Sequence, residues 1–165
     1  GDGLEKVAKR YKNEWETRGE LRRKVPEGLL LSIGLNDTAR IGRKDGRPQL
    51  SEDAFNFGLK RLLNEIKKEV DVMVLGLTPV NEASMPFAEC LWYSNKYCSI
   101  YEKKIEETCL DLNIPFLSIH EKMIKLLSFK NLISSDGIHL NTEGHKWIYN
   151  QISEWEALMS WANLK

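Results

Sequence analysis

No stretch of this sequence stays apolar for the roughly 18 or more residues that a membrane span needs. Nor does charge of one sign prevail: 24 Lys and Arg residues are balanced by 24 Asp and Glu. That balance argues against a nucleic-acid binder, which carries a basic excess, and against a polybasic membrane-surface protein. Cysteine is scarce. The three present, Cys90, Cys98 and Cys109, are odd in number and lack CxxC spacing. This excludes a disulfide framework and predicts buried, reduced thiols. No leader pattern precedes the first helical stretch, so the expected location is cytoplasmic. A glycine-rich phosphate loop of the GxGxxG or GxxxxGKS/T type is also missing, which counts against a nucleotide or phosphate binder. What remains is ordinary for a folded protein: 165 residues, 42 % hydrophobic and 29 % charged. One domain over residues 1–165 is expected, able to bury roughly two-thirds of its unfolded surface.

Hydrophobic spacing orders the chain. Leu4, Val7, Ala8, Tyr11 and Trp15 fall on one face of a helix predicted within 4–23. Leu29–Ile33 is a continuous apolar run, as in a strand buried on both faces. A basic loop from Thr38 to Leu50 follows. Ser51 is placed to cap a helix with Phe55, Leu59, Leu62, Leu63 and Ile66 inward. Val72–Leu77 is a second strand, stopped by Pro79, and a loop over 78–91 precedes a helix over about 92–112 ending at Asn113. Phe116–Ile119 is the third strand, followed by a short helix near 121–128. Asn141 is an N-cap for a last helix with Ile148, Ile152, Trp155 and Met159 inward. Strands alternating with helices predict a parallel sheet covered on both faces. The strands should be adjacent in chain order, with the active site beyond their carboxyl ends.

Two short motifs sit at that rim. Gly34-Leu35-Asn36-Asp37 follows the first strand, and Asp136-Gly137-Ile138-His139 precedes the last helix. An Asp three residues before a His, in a glycine turn, can hydrogen-bond Nδ1 and leave Nε2 to take a proton. An amide side chain on a tight turn is a rigid donor of the kind that stabilises an oxyanion. Each motif alone also reads plainly: the first as a turn with Asp37 capping a short helix, the second as a turn leading into one.

Together, in this order, they resemble the SGNH hydrolases, the GDSL esterase/lipase family. Its third block, GxND, matches Gly34–Asp37, and its fifth, DxxH, matches Asp136–His139 with Asn141 and Gly144 following. The resemblance implies a three-layer α/β/α, flavodoxin-like fold and a Ser-His-Asp triad that hydrolyses small-molecule carboxylic esters without a metal or organic cofactor. His139 would be the general base and Asp136 its orienting group. The Asn36 amide and the Gly1 N–H would form the oxyanion hole.

The nucleophile block is the departure. Gly1-Asp2-Gly3-Leu4 resembles a first block with its serine replaced, but no strand precedes it and one helix leads from it straight to the next strand. The family's second block, a glycine often followed by Asp, fits better. The serine and the first two strands are then expected upstream. The family's sheet has strand order 2-1-3-4-5, and with three strands Leu29–Ile33 would be a bare apolar edge. Upstream strands, or a neighbouring copy in a homo-oligomer, are expected to cover it. The alternative function is a relative without nucleophile that binds an ester or glycan and leaves it intact.

Other polar residues read as structural: His120 at a strand end, His145 as solvated, Ser135 as part of a turn. Arg40, Arg43, Lys44 and Arg47 form a solvated loop, or one that favours an anionic substrate. Met85, Phe87 and Trp92 line a pocket or anchor their loop.

Overall fold

The computed structural model describes residues 2–16 and 24–163; Gly1, the remainder of the first predicted helix and the Trp15 side chain lie outside them. Helix α1 spans Leu4–Arg10 and α2 spans Asn13–Glu16, divided by a turn at Tyr11-Lys12. The first helical stretch is thus broken, at the point where Tyr11 enters the core.

Strand β1 (Gly28–Ser32) pairs in parallel with β3 (Asp71–Leu75), Gly28 opposite Asp71 and Ser32 opposite Leu75. Strand β5 (Phe116–Leu117) pairs in parallel on the other side of β3, Val74 opposite Phe116. The order β1-β3-β5 is the expected one. Between β1 and β3 lie β2 (Arg40–Ile41) and α3 (Glu52–Ile66); β4 (Leu91–Trp92) follows β3. Strands β2 and β4 form an antiparallel ribbon that no sequence pattern announced. It claims Trp92, so the following helix, α4, begins at Asn95 and runs to Asp111. Asn113, at a φ of 51°, takes the left-handed conformation that ends it. Helix α5 is His120–Ile124. The last helix is two: α6 (Thr142–Ser153) and α7 (Glu156–Trp161), broken at Trp155, which is extended at ψ 113°.

Three layers result. Leu31, Ile33, Val72 and Val74 face α1, α3 and α4 through Leu4, Phe55, Leu59, Tyr101 and Ile105. Leu75, Leu117 and Ile119 face the other way, onto Trp147, Ile148, Ile152 and Trp155 of the α6–α7 region. Apolar burial on both faces of the sheet is the main stabilising term. β1 departs from its reading as a strand buried on both faces. Among the described residues β3 is its one strand neighbour. Leu31 is buried, but Leu30 is 39 % exposed. Cys98 and Cys109 are core residues as expected; Cys90 is exposed, because it sits at the tip of the loop before β4.

A buried carboxylate ties the strand ends together. Glu102 of α4 accepts hydrogen bonds from the Leu77 N–H (2.6 Å), the His120 N–H (3.0 Å) and the Ser118 hydroxyl (2.7 Å). Those groups follow β3 and β5, where the backbone has left the ladder and needs acceptors. Burial raises the Glu102 pKa, against the pull of these donors.

Candidate active site

The turn Asp136–His139 is built by its own backbone. Gly137 stands at a φ of 83°, a conformation that favours glycine. A Cβ there would also lie 2.6 Å from the Ser84 Cβ and 2.9 Å from the Asn81 carbonyl oxygen. Ser134 and His139 close the turn through a 2.7 Å backbone bond, and Ile138 is buried beneath it. Asn141 then caps α6, its Oδ1 accepting from the Glu143 and Gly144 N–H groups at 3.0 Å each.

This turn aims Asp136 at its own loop. Oδ1 accepts from the Ile138 and His139 N–H groups at 3.0 Å each, and Oδ2 lies 2.7 Å from His139 Nδ1. Partial burial pushes the Asp136 pKa up, but the two N–H donors and the imidazole outweigh it and hold it below the usual carboxylate range. Asp136 is therefore a carboxylate at neutral pH. With Nδ1 so engaged, Nε2 is left without a partner among the described residues, as a base must be, on a side chain that is 65 % exposed.

Asn36 starts a single 3₁₀ turn (Asn36–Thr38) just after β1, entered through Gly34 at a φ of 118°. Its Nδ2 donates to the Asp2 carbonyl oxygen (3.2 Å), and its Oδ1 accepts from the Tyr93 hydroxyl (3.3 Å). The Asp2–Leu4 segment is held beside it by Asp37, whose two oxygens each lie 3.1 Å from the Leu4 N–H. Asp37 does cap a helix, but it is α1, 33 residues earlier in the chain. Gly1, the other expected oxyanion donor, lies outside the described residues.

No hydrogen bond joins Asn36 to His139 directly; an aromatic chain does. The Phe87 ring meets Tyr93 edge-on at 6.2 Å and His139 edge-on at 6.0 Å. Phe87 belongs to the loop 78–91, whose feet are fixed. Asn95 exchanges two 2.9 Å hydrogen bonds with the Val80 backbone, and Leu91–Trp92 pair with β2. Met85 and Phe87 pack on the small cluster of Ala39, Val80, Tyr93, Cys98 and Ile138. Of the basic loop, Arg43, Lys44 and Arg47 are exposed, whereas Arg40 is half-buried with its guanidinium 3.5 Å above the Tyr97 ring.

Of the other residues read as structural, Ser135 sits in the same turn as His139, while the buried His120, expected to be satisfied, has no hydrogen-bond partner for its Nε2 among the described residues. His145 and Ser135 are exposed. His120 is buried near Glu102, and burial lowers its pKa. Sequence reasoning missed Tyr93 and Glu102. The one signal for Glu102 was its place on the α4 stripe that also carries Cys98, Tyr101, Ile105 and Cys109.

The Asp37 clamp has a pH signature. Burial raises its pKa to about 6, against the Leu4 N–H that favours the charged form; in an unfolded chain it would be about 3.9. The folded state thus binds this proton more tightly, so its contribution to stability falls as pH rises from about 4 to about 6, then levels off. Asp37→Asn keeps an acceptor for Leu4 without a charge to desolvate. The melting temperature of this variant relative to the parent should rise across that window. Parallel pH curves for the two proteins would refute the clamp.

The chain is similar to known proteins over most of its length. The model of the GDSL-like Lipase/Acylhydrolase family matches residues 1–147. A GDSL esterase/lipase of Arabidopsis thaliana is 21 % identical over 141 residues, 78 % of this chain and 58 % of the relative. One of Oryza sativa subsp. japonica is 19 % identical over 150 residues, 82 % of this chain and again 58 % of the relative. The chain therefore spans under two-thirds of the length of these relatives. Among solved structures, the lipase/acylhydrolase from Enterococcus faecalis superposes with a TM-score of 0.71 at 18 % identity, covering 92 % of this chain and 68 % of that one. The psychrotrophic esterase EstA from Pseudoalteromonas sp., inhibited by monoethylphosphonate, gives 0.64 at 15 % identity over 99 % of this chain and 74 % of that one. A family match over most of the sequence, on a sheet of the expected order with both motifs at one rim, places this chain in the GDSL-like lipase/acylhydrolase family.

Proposed function

We propose that this chain supplies the base and the oxyanion donor of a serine esterase that cleaves small-molecule carboxylic esters. The serine comes from protein outside this sequence. The observation that carries the reading is the 2.7 Å contact between Asp136 Oδ2 and His139 Nδ1 on an exposed histidine side chain, which frees Nε2 for a proton. His139 takes the serine proton as the hydroxyl oxygen attacks the ester carbonyl. Asp136, anionic at neutral pH, holds the ring and stabilises the imidazolium that forms. The Asn36 Nδ2 and the Gly1 N–H receive the negative charge developing on the carbonyl oxygen. His139 then returns its proton to the leaving alkoxide, and water releases the acyl group by the same steps in reverse roles. No step calls on a cofactor.

Serine chemistry has a direct test. A fluorophosphonate ester should inactivate the full-length protein with the loss of fluoride and leave one phosphonylated serine, located by peptide mass spectrometry. The inhibition of EstA by monoethylphosphonate is the precedent among structural neighbours. Ester hydrolysis that survives complete labelling, or labelling at a residue other than serine, would overturn the reading. A protein that neither hydrolyses esters nor reacts would support the ligand-binding alternative instead.

A further inference from the structure

We propose that Tyr93 is a positioning residue for the reaction: its buried hydroxyl holds the Asn36 amide in the orientation that aims an N–H into the site. This rests on the reading of Asn36 as oxyanion donor.

A primary amide can be turned over about its last torsion with little change in shape, exchanging a two-proton donor for an acceptor. Only one of the two orientations serves an oxyanion. The Asn36 Nδ2 donates one proton to the Asp2 carbonyl oxygen at 3.2 Å, leaving the second for a ligand. Its Oδ1 receives the Tyr93 hydroxyl proton at 3.3 Å. Turned over, Oδ1 would face the Asp2 carbonyl, acceptor against acceptor, and the Tyr93 proton would have no acceptor.

Tyr93 is suited to this and its hydroxyl has no other task. The side chain is 3 % exposed, packed with Ala39, Val80, Cys98 and Ile138 and flanked by Phe87. A phenylalanine would fill that cluster without the cost of taking a hydroxyl out of water. Among the described residues the hydroxyl makes one hydrogen bond, to Asn36. Burial pushes the phenol up to about 12, so it remains a donor wherever an ester can be assayed. The backbone cannot swing it away, since Trp92 before it is paired in the ribbon with Arg40 and α4 begins at Asn95. The 3.3 Å contact is longer than the ~2.7–2.8 Å usual between oxygens. Hydrogen bonds of resting sites are commonly long and tighten as charge develops.

The test is Tyr93→Phe in the full-length protein with p-nitrophenyl acetate, beside Asn36→Ala and the double variant. Loss of orientation without loss of the donor should lower kcat roughly tenfold at unchanged KM, since the oxyanion exists only beyond the ground state. In the double variant Tyr93→Phe should add nothing to the effect of Asn36→Ala. In the ¹⁵N-labelled protein the two Asn36 side-chain amide protons, well separated in the parent, should broaden or converge in Tyr93→Phe. A parent-like kcat for Tyr93→Phe beside a slow Asn36→Ala would overturn the proposal while sparing the site. So would a further tenfold loss in the double variant, or unaltered Asn36 amide resonances. If Asn36→Ala itself turns over at the parent rate, the assignment of the oxyanion donor fails, and the proposal fails with it.

Discussion

Replacing His139 by alanine in the full-length protein is expected to slow ester turnover by roughly 10⁴-fold or more. The size follows from what the ring does. An uncharged serine hydroxyl is a poor nucleophile, and it attacks only as its proton leaves. At this rim His139 is the one histidine exposed with Nδ1 already committed to a carboxylate. Its neighbour Phe87 offers an aromatic edge and no basic atom. Asp136 is held below the usual carboxylate range by its donors, which makes it too weak a base to substitute. Binding should survive, so KM should change far less than kcat. The proper controls are the other two histidines. His145→Ala removes an exposed side chain from α6, and His120→Ala removes a buried one beside Glu102; both should leave kcat near the parent value. Steady-state hydrolysis of a p-nitrophenyl ester by the three variants settles the assignment. A fast His139→Ala, or a slow His120→Ala in a protein that remains folded, would move the base elsewhere.

Asn36→Ala is expected to lower kcat roughly 10²- to 10³-fold with KM nearly unchanged. An ester carbonyl carries little charge when it binds, and a full negative charge develops as the tetrahedral intermediate forms. A donor placed for the latter therefore stabilises the transition state and contributes little to binding. The turn itself should survive truncation of the side chain. The 3₁₀ turn that carries it is closed by the Gly34 and Leu35 carbonyls, which accept from the Asp37 and Thr38 N–H groups at 3.0 and 3.1 Å. Asp37, not Asn36, holds Leu4. The melting temperature should fall by several degrees, because the truncation leaves the Tyr93 hydroxyl without its acceptor at a cost of about 1–3 kcal/mol; a much larger drop would mean that the turn had been lost as well.

The two motifs were legible because each is a local device. Gly137 needs a positive φ, Asp136 reaches only as far as His139, and Gly34 opens a turn that closes within four residues. Strand order was legible because apolar runs separated by helices leave one economical topology. The supports of the site were not legible, because their partners are remote in sequence. Asp37 meets Leu4 across 33 residues, Tyr93 meets Asn36 across 57, and Glu102 meets Leu77 across 25. No periodicity encodes such a pair. Ribbon β2–β4 has two residues a side, too few for alternation to register. The break at Trp155 escaped for the opposite reason: Ile148, Ile152, Trp155 and Met159 keep helical spacing straight through it.

The loop from 78 to 91, with its feet fixed by Asn95 and by the ribbon, behaves as a cassette. Evolution can rewrite its exposed positions, Ala83, Ala88, Glu89 and Cys90, at little cost in loop-closure entropy, because the span to be closed is set by the anchors. Divergence of substrate preference within such a lineage can then concentrate in one short exchangeable segment that touches His139 through Phe87. The turn Asp136–His139 is kept only if the residues that touch it are kept: Ser84 beneath Gly137, and Met85 and Phe87 on the cluster of Tyr93 and Ile138. A laboratory library confined to the exposed Ala83, Ala88, Glu89 and Cys90 would vary the loop surface and leave those contacts in place.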